Sequence, residues 1–213
     1  MDFCLYLITD RTATHGGKSI EYVLERAFDS GVGGVLLREK DMPSDELIRL
    51  AGKVRDLTLR HRVRMLVSGR PDVAVVVGAD GVHLTSADPD VAAARRLVGD
   101  AKYVAVSTHS IDEAVKAEAR GADFITFGPV YETESKKQYG PPLGLGLLEE
   151  VCRSVKIPVF ALGGINYDNA VPALHAGAYG IAVISAVISA EDPAGAANRI
   201  IDGIRSYKLG KLI

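Results

Sequence analysis

Short apolar runs alternate with longer amphipathic stretches along the whole chain. The runs are rich in β-branched residues and predict eight strands, at residues 3–9, 34–37, 63–67, 81–84, 103–106, 124–127, 158–161 and 180–184. Helical spacing of apolar residues lies between them, most clearly at residues 44–60, where Ser44 precedes two acidic residues and predicts an N-cap. Helices are also predicted at residues 112–119 and 193–207, the former behind an S-x-x-E capping box that starts at Ser110. This alternation predicts a parallel sheet in an α/β protein.

Four glycines mark a quasi-repeat along the chain. Gly31, Gly78, Gly121 and Gly177 open the similar segments GVGGVLL, GADGVHL, GADFITF and GAYGIAV. Each glycine stands where a left-handed residue would end a helix, and each interval holds about two strand–helix units. Eight such units in about 200–250 residues predict a single (β/α)8 TIM barrel that spans residues 1–213 as one domain. A doubly wound open sheet is the alternative.

Composition excludes several classes of partner. Lys and Arg number 25 and Asp and Glu 27, so the formal net charge of −2 favours neither nucleic acid nor an anionic membrane as a partner. The longest apolar stretches are well short of the ~20 residues that a spanning helix needs. Cys4 and Cys152 stand far apart, without metal-ligand spacing. We therefore expect a cytoplasmic protein with a small-molecule ligand.

Active sites of such barrels lie at the carboxyl ends of the strands. Gly163 and Gly164 follow the seventh predicted strand, and Ser185 and Ala186 follow the eighth. Backbone N–H groups at these two places bind a phosphate in many barrels, so we expect a phosphate site here. The alternative is that the glycine pair only forms a tight turn.

Polar side chains follow the other strands at the same end. Four cations there would suit a second anionic group or a carboxylate, although each by itself is more often a solvated surface charge: Arg38, Lys40, Arg70 and Lys136. Ser107 follows the fifth strand as a further candidate ligand contact. The loop at residues 128–144 carries Thr133, Ser135 and Lys136, which we expect to form a polar lid over the ligand.

One histidine is placed to carry protons. Of five histidines, only His109 follows a strand end among hydroxyl residues, and imidazole titrates near neutral pH. The alternative is a helix-capping residue or a polar loop residue without a chemical role. His83 lies within a strand, where a packed, hydrogen-bonded core residue is expected. No cluster of His, Cys, Asp and Glu has metal-ligand spacing, so we predict no metal site.

Seven segments at the strand ends resemble the thiamine phosphate synthase superfamily. They are residues 6–11 (YLITDR), 37–40 (LREK), 78–84 (GADGVHL), 106–110 (VSTHS), 127–131 (FGPVY), 161–165 (ALGGI) and 180–185 (GIAVIS). The resemblance runs in order from about residue 3 to residue 205. It implies a (β/α)8 barrel that acts on a thiazole phosphate in thiamine biosynthesis.

The superfamily has two branches. Its synthases join a pyrimidine pyrophosphate to the thiazole phosphate and hold Mg²⁺ with carboxylates, whereas its TenI-type tautomerases move a proton that makes the thiazole ring aromatic. This sequence departs from the synthase pattern at three motifs. The synthase motif Asn-Asp-Arg reads Ser68-Gly69-Arg70 here, and Leu37 stands where synthases have a Gln before Arg-Glu-Lys. Of the synthase motif Gln-Glu-Asp, only Asp88 remains. One carboxylate is a poor site for Mg²⁺ beside a pyrophosphate.

These departures favour the tautomerase branch. In that interpretation His109 transfers the proton, Arg38 and Lys40 hold the substrate carboxylate, and the phosphate lies on the amides of Gly163, Gly164, Ser185 and Ala186. No cofactor is expected, with Mg²⁺ required only if the chain is a synthase. A thiamine phosphate synthase is the first alternative and a non-catalytic thiazole-phosphate-binding regulator the second. Related barrels are often dimers, so a homodimer is possible by analogy.

Overall fold

The structure, a computed structural model, describes residues 1–86, 90–133 and 141–210. Eight parallel strands in this part of the chain close into a barrel in sequence order, with the last strand paired to the first. The strands are β1 (Leu5–Ile8), β2 (Gly34–Leu37), β3 (Arg64–Ser68), β4 (Gly81–Leu84), β5 (Tyr103–Thr108), β6 (Phe124–Phe127), β7 (Val159–Ala161) and β8 (Gly180–Val183). The predicted (β/α)8 TIM barrel is confirmed.

Helices lie between and after the strands. They are α1 (Ile20–Asp29), α2 (Ser44–His61), α3 (Pro71–Val76), α4 (Val91–Val98), α5 (Ile111–Ala119), α6 (Gly144–Ser154), α7 (Ala170–His175), α8 (Ser185–Ile188) and α9 (Pro193–Gly210). Short 3-10 turns at Arg11–Ala13 and His15–Gly17 precede α1. No helix in the described part of the chain combines the length and the apolar character needed to cross a membrane.

Local signals in the sequence place most helix ends. Gly31, Gly78, Gly121 and Gly177 all have positive φ, between 63° and 99°, as predicted for left-handed residues after helices. Ser110 caps α5, because its Oγ accepts a hydrogen bond from Glu113 N at 3.2 Å. The prediction that Ser44 caps α2 is wrong.

Ser44 is the first residue of α2, and Pro43 occupies the cap position without a side-chain hydrogen bond. The hydroxyl of Ser44 instead accepts a hydrogen bond from Arg70 Nη1 at 3.1 Å. The Ser44 hydroxyl therefore binds Arg70, on the loop after β3, rather than a backbone N–H of its own helix.

Alternate residues of each strand face opposite sides of the barrel wall. One set packs outward against the helices, and the other fills the barrel, with Phe3, Tyr6, Phe124 and Phe160 at its centre. Ring centroids within this inner group are 5.3–5.9 Å apart, as in a packed aromatic core. The barrel is thus filled at its amino end, and the carboxyl ends of the strands are the place where barrels of this kind bind their ligands.

Candidate active site

His109 stands directly after β5 and is held at two points. Its backbone N–H donates to Glu113 Oε2 at 2.6 Å, and its ring Nδ1 contacts the carbonyl oxygen of Gly128. A carbonyl only accepts hydrogen bonds, so Nδ1 carries the hydrogen and Nε2 of the neutral ring has a lone pair. The ring is half-buried. It therefore presents a proton acceptor at the end of the barrel where chemistry is expected.

The loop after β7 has a shape that only glycine permits. Gly163 and Gly164 have φ values of +97° and +65°. A Cβ on Gly163 would lie 2.5 Å from Pro129 Cα, and one on Gly164 would lie 2.4 Å from the carbonyl oxygen of Glu132. The chain after β6 packs directly on this turn, since Tyr131 N donates to Gly163 O at 3.0 Å.

Backbone amides at the ends of β7 and β8 are available to an anion. Strands β7 and β8 are paired neighbours, so the Gly163–Gly164 turn and the start of α8 lie side by side. Within the described residues, the N–H groups of Gly163, Gly164, Ser185 and Ala186 donate no hydrogen bond. Together these four amides form what we call the amide cradle, which suits a phosphate ester.

The rim cations do not all have the same environment. Arg38 is half-buried after β2, and its guanidinium makes no hydrogen bond or ion pair within residues 1–86, 90–133 and 141–210. Lys40 is exposed on the same loop, and Thr133 is half-buried after β6. Arg70, in contrast, is bound to Asp72 at 2.7 Å and 2.9 Å and is not available to a ligand in this arrangement. Ser135, Lys136 and Asp88 lie outside the described residues.

Glu39 has a role that sequence reasoning missed. Its carboxylate is almost fully buried and accepts hydrogen bonds from the backbone N and from Nη1 of Arg11, at 3.2–3.3 Å. Arg11 also binds Asp41 with two hydrogen bonds of 2.8 Å and 2.9 Å, which lower the pKa of the Asp41 carboxyl. These contacts tie the loop after β1 to the loop that carries Arg38 and Lys40.

A contact between His83 and Ser107 inside the barrel is the second feature that sequence reasoning missed. His83 is buried, with Nδ1 3.3 Å from Tyr6 Oη and Nε2 3.0 Å from Ser107 Oγ. Burial lowers the pKa of His83 to about 3 and raises the pKa of Tyr6. The prediction of a hydrogen-bonded core histidine is thus confirmed, but its contact with Ser107 reaches the candidate site.

The described residues do not fit a magnesium site of the synthase kind. They contain no group of three or more His, Cys, Asp and Glu side chains that could hold a metal ion. Gly69 offers no ligand, Glu39 is bound by Arg11, and Asp10 accepts two hydrogen bonds from Thr12, at 2.6 Å and 3.1 Å. Among the described residues, the carboxylates of Glu39 and Asp10 are therefore already bound by protein donors.

Comparison with known proteins identifies the family. The family model described as thiamine monophosphate synthase matches residues 5–187. The chain belongs to this family. Relatives named thiamine-phosphate synthase include proteins from Chloroflexus aurantiacus and Methanospirillum hungatei, each 42% identical. The first match covers 94% of this chain and 92% of the relative, and the second covers 95% and 98%.

Solved structures agree with the assignment. The thiamine phosphate pyrophosphorylase of Pyrococcus furiosus is 35% identical, with a TM-score of 0.87 and 96% of each chain covered. A 3-hexulose-6-phosphate synthase at 18% identity and a TM-score of 0.70 shares the fold alone. The resemblance inferred from the strand-end segments is confirmed for the family as a whole, and the names of these relatives are those of the synthase branch.

Proposed function

We propose that this protein acts on a thiazole phosphate in thiamine biosynthesis. The observation that carries the proposal is the amide cradle, found at the carboxyl end of a barrel of the thiamine monophosphate synthase family. The cradle would bind the ester phosphate, and His109 and Arg38 would face the thiazole ring and its substituents. No organic cofactor is required by either reaction considered below.

The coupling reaction of the synthases is our first candidate. It joins a pyrimidine pyrophosphate to the ring nitrogen of the thiazole and releases pyrophosphate. Full-length relatives at 42% identity carry this activity in their names, which favours coupling over tautomerisation. The guanidinium of Arg38 would then bind the pyrophosphate group, both in the substrate and as it leaves. Against this candidate stands Gly69, which supplies no carboxylate where the synthase motif has Asp.

Tautomerisation is the second candidate, and the residues of the site favour it. Its substrate is a carboxylated dihydrothiazole phosphate, and its product is the aromatic thiazole. Nε2 of His109 would accept a ring proton, and the resulting imidazolium would return a proton to the exocyclic carbon. The cations Arg38 and Lys40 would hold the carboxylate. General acid–base catalysis of this type contributes about 10²–10⁴-fold, which suits a reaction already driven by aromatisation.

Two parallel assays decide between the reactions. The protein is incubated with the pyrimidine pyrophosphate, thiazole phosphate and Mg²⁺, and thiamine phosphate is measured by fluorescence after oxidation. In the second assay, the dihydrothiazole phosphate carboxylate alone is added, and the absorbance of the aromatic ring is followed. Coupling in the first assay supports the first candidate, and ring absorbance in the second supports the second. Binding of thiazole phosphate with no turnover in either assay would replace both with a regulatory role.

A matched pair of variants sharpens the first assay. Gly69 has φ of +63°, which Asp and Asn tolerate better than most residues, and a Cβ there meets nothing within 4 Å. Gly69→Asp restores the carboxylate of the synthase motif, and Gly69→Asn has the same shape without the charge. If wild type lacks coupling and only Gly69→Asp gains it, the chain has lost this reaction and tautomerisation is favoured.

A further inference from the structure

A chain of hydrogen bonds runs upward through the barrel to the candidate site. It starts at the Tyr6 hydroxyl, passes through both nitrogens of His83 and ends at Ser107 Oγ. We infer that Tyr6 and His83 are positioning residues that orient the Ser107 hydroxyl as a hydrogen-bond donor to an anionic oxygen of the ligand. This inference rests on the proposed function, because it concerns the same ligand site.

The first step is the direction of the bond between Tyr6 and His83. Tyr6 is completely buried, and in the described part of the chain His83 Nδ1 is the sole hydrogen-bond partner of its hydroxyl. If Nδ1 donated to the phenol oxygen, the phenol hydrogen would be left without an acceptor in the core, which is unfavourable. The phenol therefore donates, and Nδ1 accepts.

The second step is the tautomer of His83. Because burial lowers the pKa of His83 to about 3, its ring is neutral at physiological pH and has only one N–H. With Nδ1 acting as acceptor, that hydrogen is on Nε2. Nε2–H then donates to Ser107 Oγ at 3.0 Å, while the hydroxyl of Thr126 is more distant, at 3.4 Å.

The third step is the direction of the Ser107 hydroxyl. Its oxygen accepts from His83 Nε2 at 3.0 Å and, in a longer contact of 3.5 Å, from Thr126 Oγ1. Both partners act as donors, so the hydrogen of Ser107 itself points to another acceptor. Tyr6, His83 and Thr126 are at most 2% exposed, whereas Ser107 is half-buried and lies two residues before His109 on the same strand end. The free side of Ser107 therefore faces the open end of the barrel, where a phosphate or carboxylate oxygen of the ligand would accept.

The test combines a tautomer measurement with ligand binding. Nitrogen NMR of the His83 ring reports which nitrogen carries the hydrogen, and titration calorimetry gives the Kd for thiazole phosphate. Wild type should show hydrogen on Nε2 alone. Tyr6→Phe should allow the Nδ1–H form to appear, in which Nε2 accepts from the Ser107 hydroxyl and turns it away from the ligand. Ser107→Ala removes the hydroxyl itself, so both variants lose the hydrogen bond from Ser107 to the ligand and should bind about tenfold more weakly. The double variant should bind no more weakly than either single variant.

Controls separate orientation from general damage to the fold. Tyr103→Phe also removes a hydroxyl from a ring packed on Phe124, but Tyr103 is at the amino end of β5 and outside the hydrogen-bond chain, so binding should not change. His83→Gln retains an N–H near Nε2 and should bind more tightly than His83→Met. If Tyr6→Phe does not fold, this second pair tests the same inference.

Three results would overturn the inference. They are an Nδ1–H ring in the wild-type protein, unchanged thiazole phosphate binding in Ser107→Ala, and equal Kd values for His83→Gln and His83→Met. Failure of the proposed function is a different result, since wild type would then not bind thiazole phosphate at all. The tautomer would still show whether the chain of hydrogen bonds runs as inferred.

Discussion

Replacement of Gly163 by alanine should damage both stability and phosphate binding. At φ of +97° an L-residue is strained, at a cost of roughly 1–2 kcal/mol. The added Cβ would also lie 2.5 Å from both Cα and Cβ of Pro129, and overpacking of this kind costs about 1–3 kcal/mol. We therefore expect Gly163→Ala to lower the free energy of unfolding by about 2–5 kcal/mol in total.

Two other glycines separate strain from steric overlap. Gly121 has φ of +89°, and a Cβ added there would meet nothing within 4 Å, so Gly121→Ala should lose only the roughly 1–2 kcal/mol of strain. Gly146 lies in helix α6 with the same open space and no positive φ, so Gly146→Ala should be neutral or stabilising by up to about 1 kcal/mol.

Urea denaturation of the three variants measures these differences, and titration with thiazole phosphate measures binding. Only Gly163→Ala should bind thiazole phosphate more weakly, because the overlap with Pro129 must move the amides of the cradle. If Gly163→Ala matched Gly121→Ala in both stability and affinity, the close packing of the two loops would have no part in binding.

Three further predictions concern other parts of the site. His109→Ala should lose most tautomerase activity, yet still bind thiazole phosphate; unchanged tautomerase turnover would remove His109 from the mechanism. His83 has its pKa lowered from 6.5 to about 3, so the unfolded chain binds its proton first and stability should fall by up to about 1.4 kcal/mol per pH unit as pH drops below 6.5. Urea titrations at several pH values should show this slope in wild type and a flatter one in His83→Gln. Glu39→Gln should destabilise the protein by about 1–3 kcal/mol, because Arg11 loses a buried charged acceptor; an unchanged denaturation midpoint would contradict that role.

Local patterns in the sequence predicted the barrel but not all of its polar contacts. Strand runs and the positive-φ glycines at positions 31, 78, 121 and 177 depend on near neighbours, so they could be found from sequence alone. The cap assigned to Ser44 failed because Ser44 is already the first residue of α2 and Pro43 occupies the cap position; its hydroxyl accepts instead from Arg70, 26 residues away. Tyr6 and His83 are 77 residues apart, and Arg11 and Glu39 are 28 apart. Such pairs form only when the barrel closes, so the periodicity of apolar residues along the sequence cannot predict them.

For the candidate site, the sequence predicted the position of the amide cradle but not which side chains have protein partners. The position of the amide cradle follows from its place after the last two strands, which is a property of the barrel. The difference between Arg38 and Arg70 does not follow from sequence, because both are cations after strand ends and only Arg70 has an acidic partner in reach among the described residues. Which reaction the site can catalyse depends on which hydrogen-bond donors and acceptors of its side chains are left without a protein partner once the chain has folded.

The most direct measurement compares two ligands that differ in one group. Titration calorimetry of the wild-type protein with thiazole phosphate and with the corresponding thiazole alcohol isolates the contribution of the phosphate. Saturable binding of the phosphate ester, at least about tenfold tighter than the alcohol, is predicted, since hydrogen bonds to a charged group contribute about 1.5–3 kcal/mol. Equal affinity for the two ligands, or no binding of either, would contradict a thiazole phosphate site on the amide cradle.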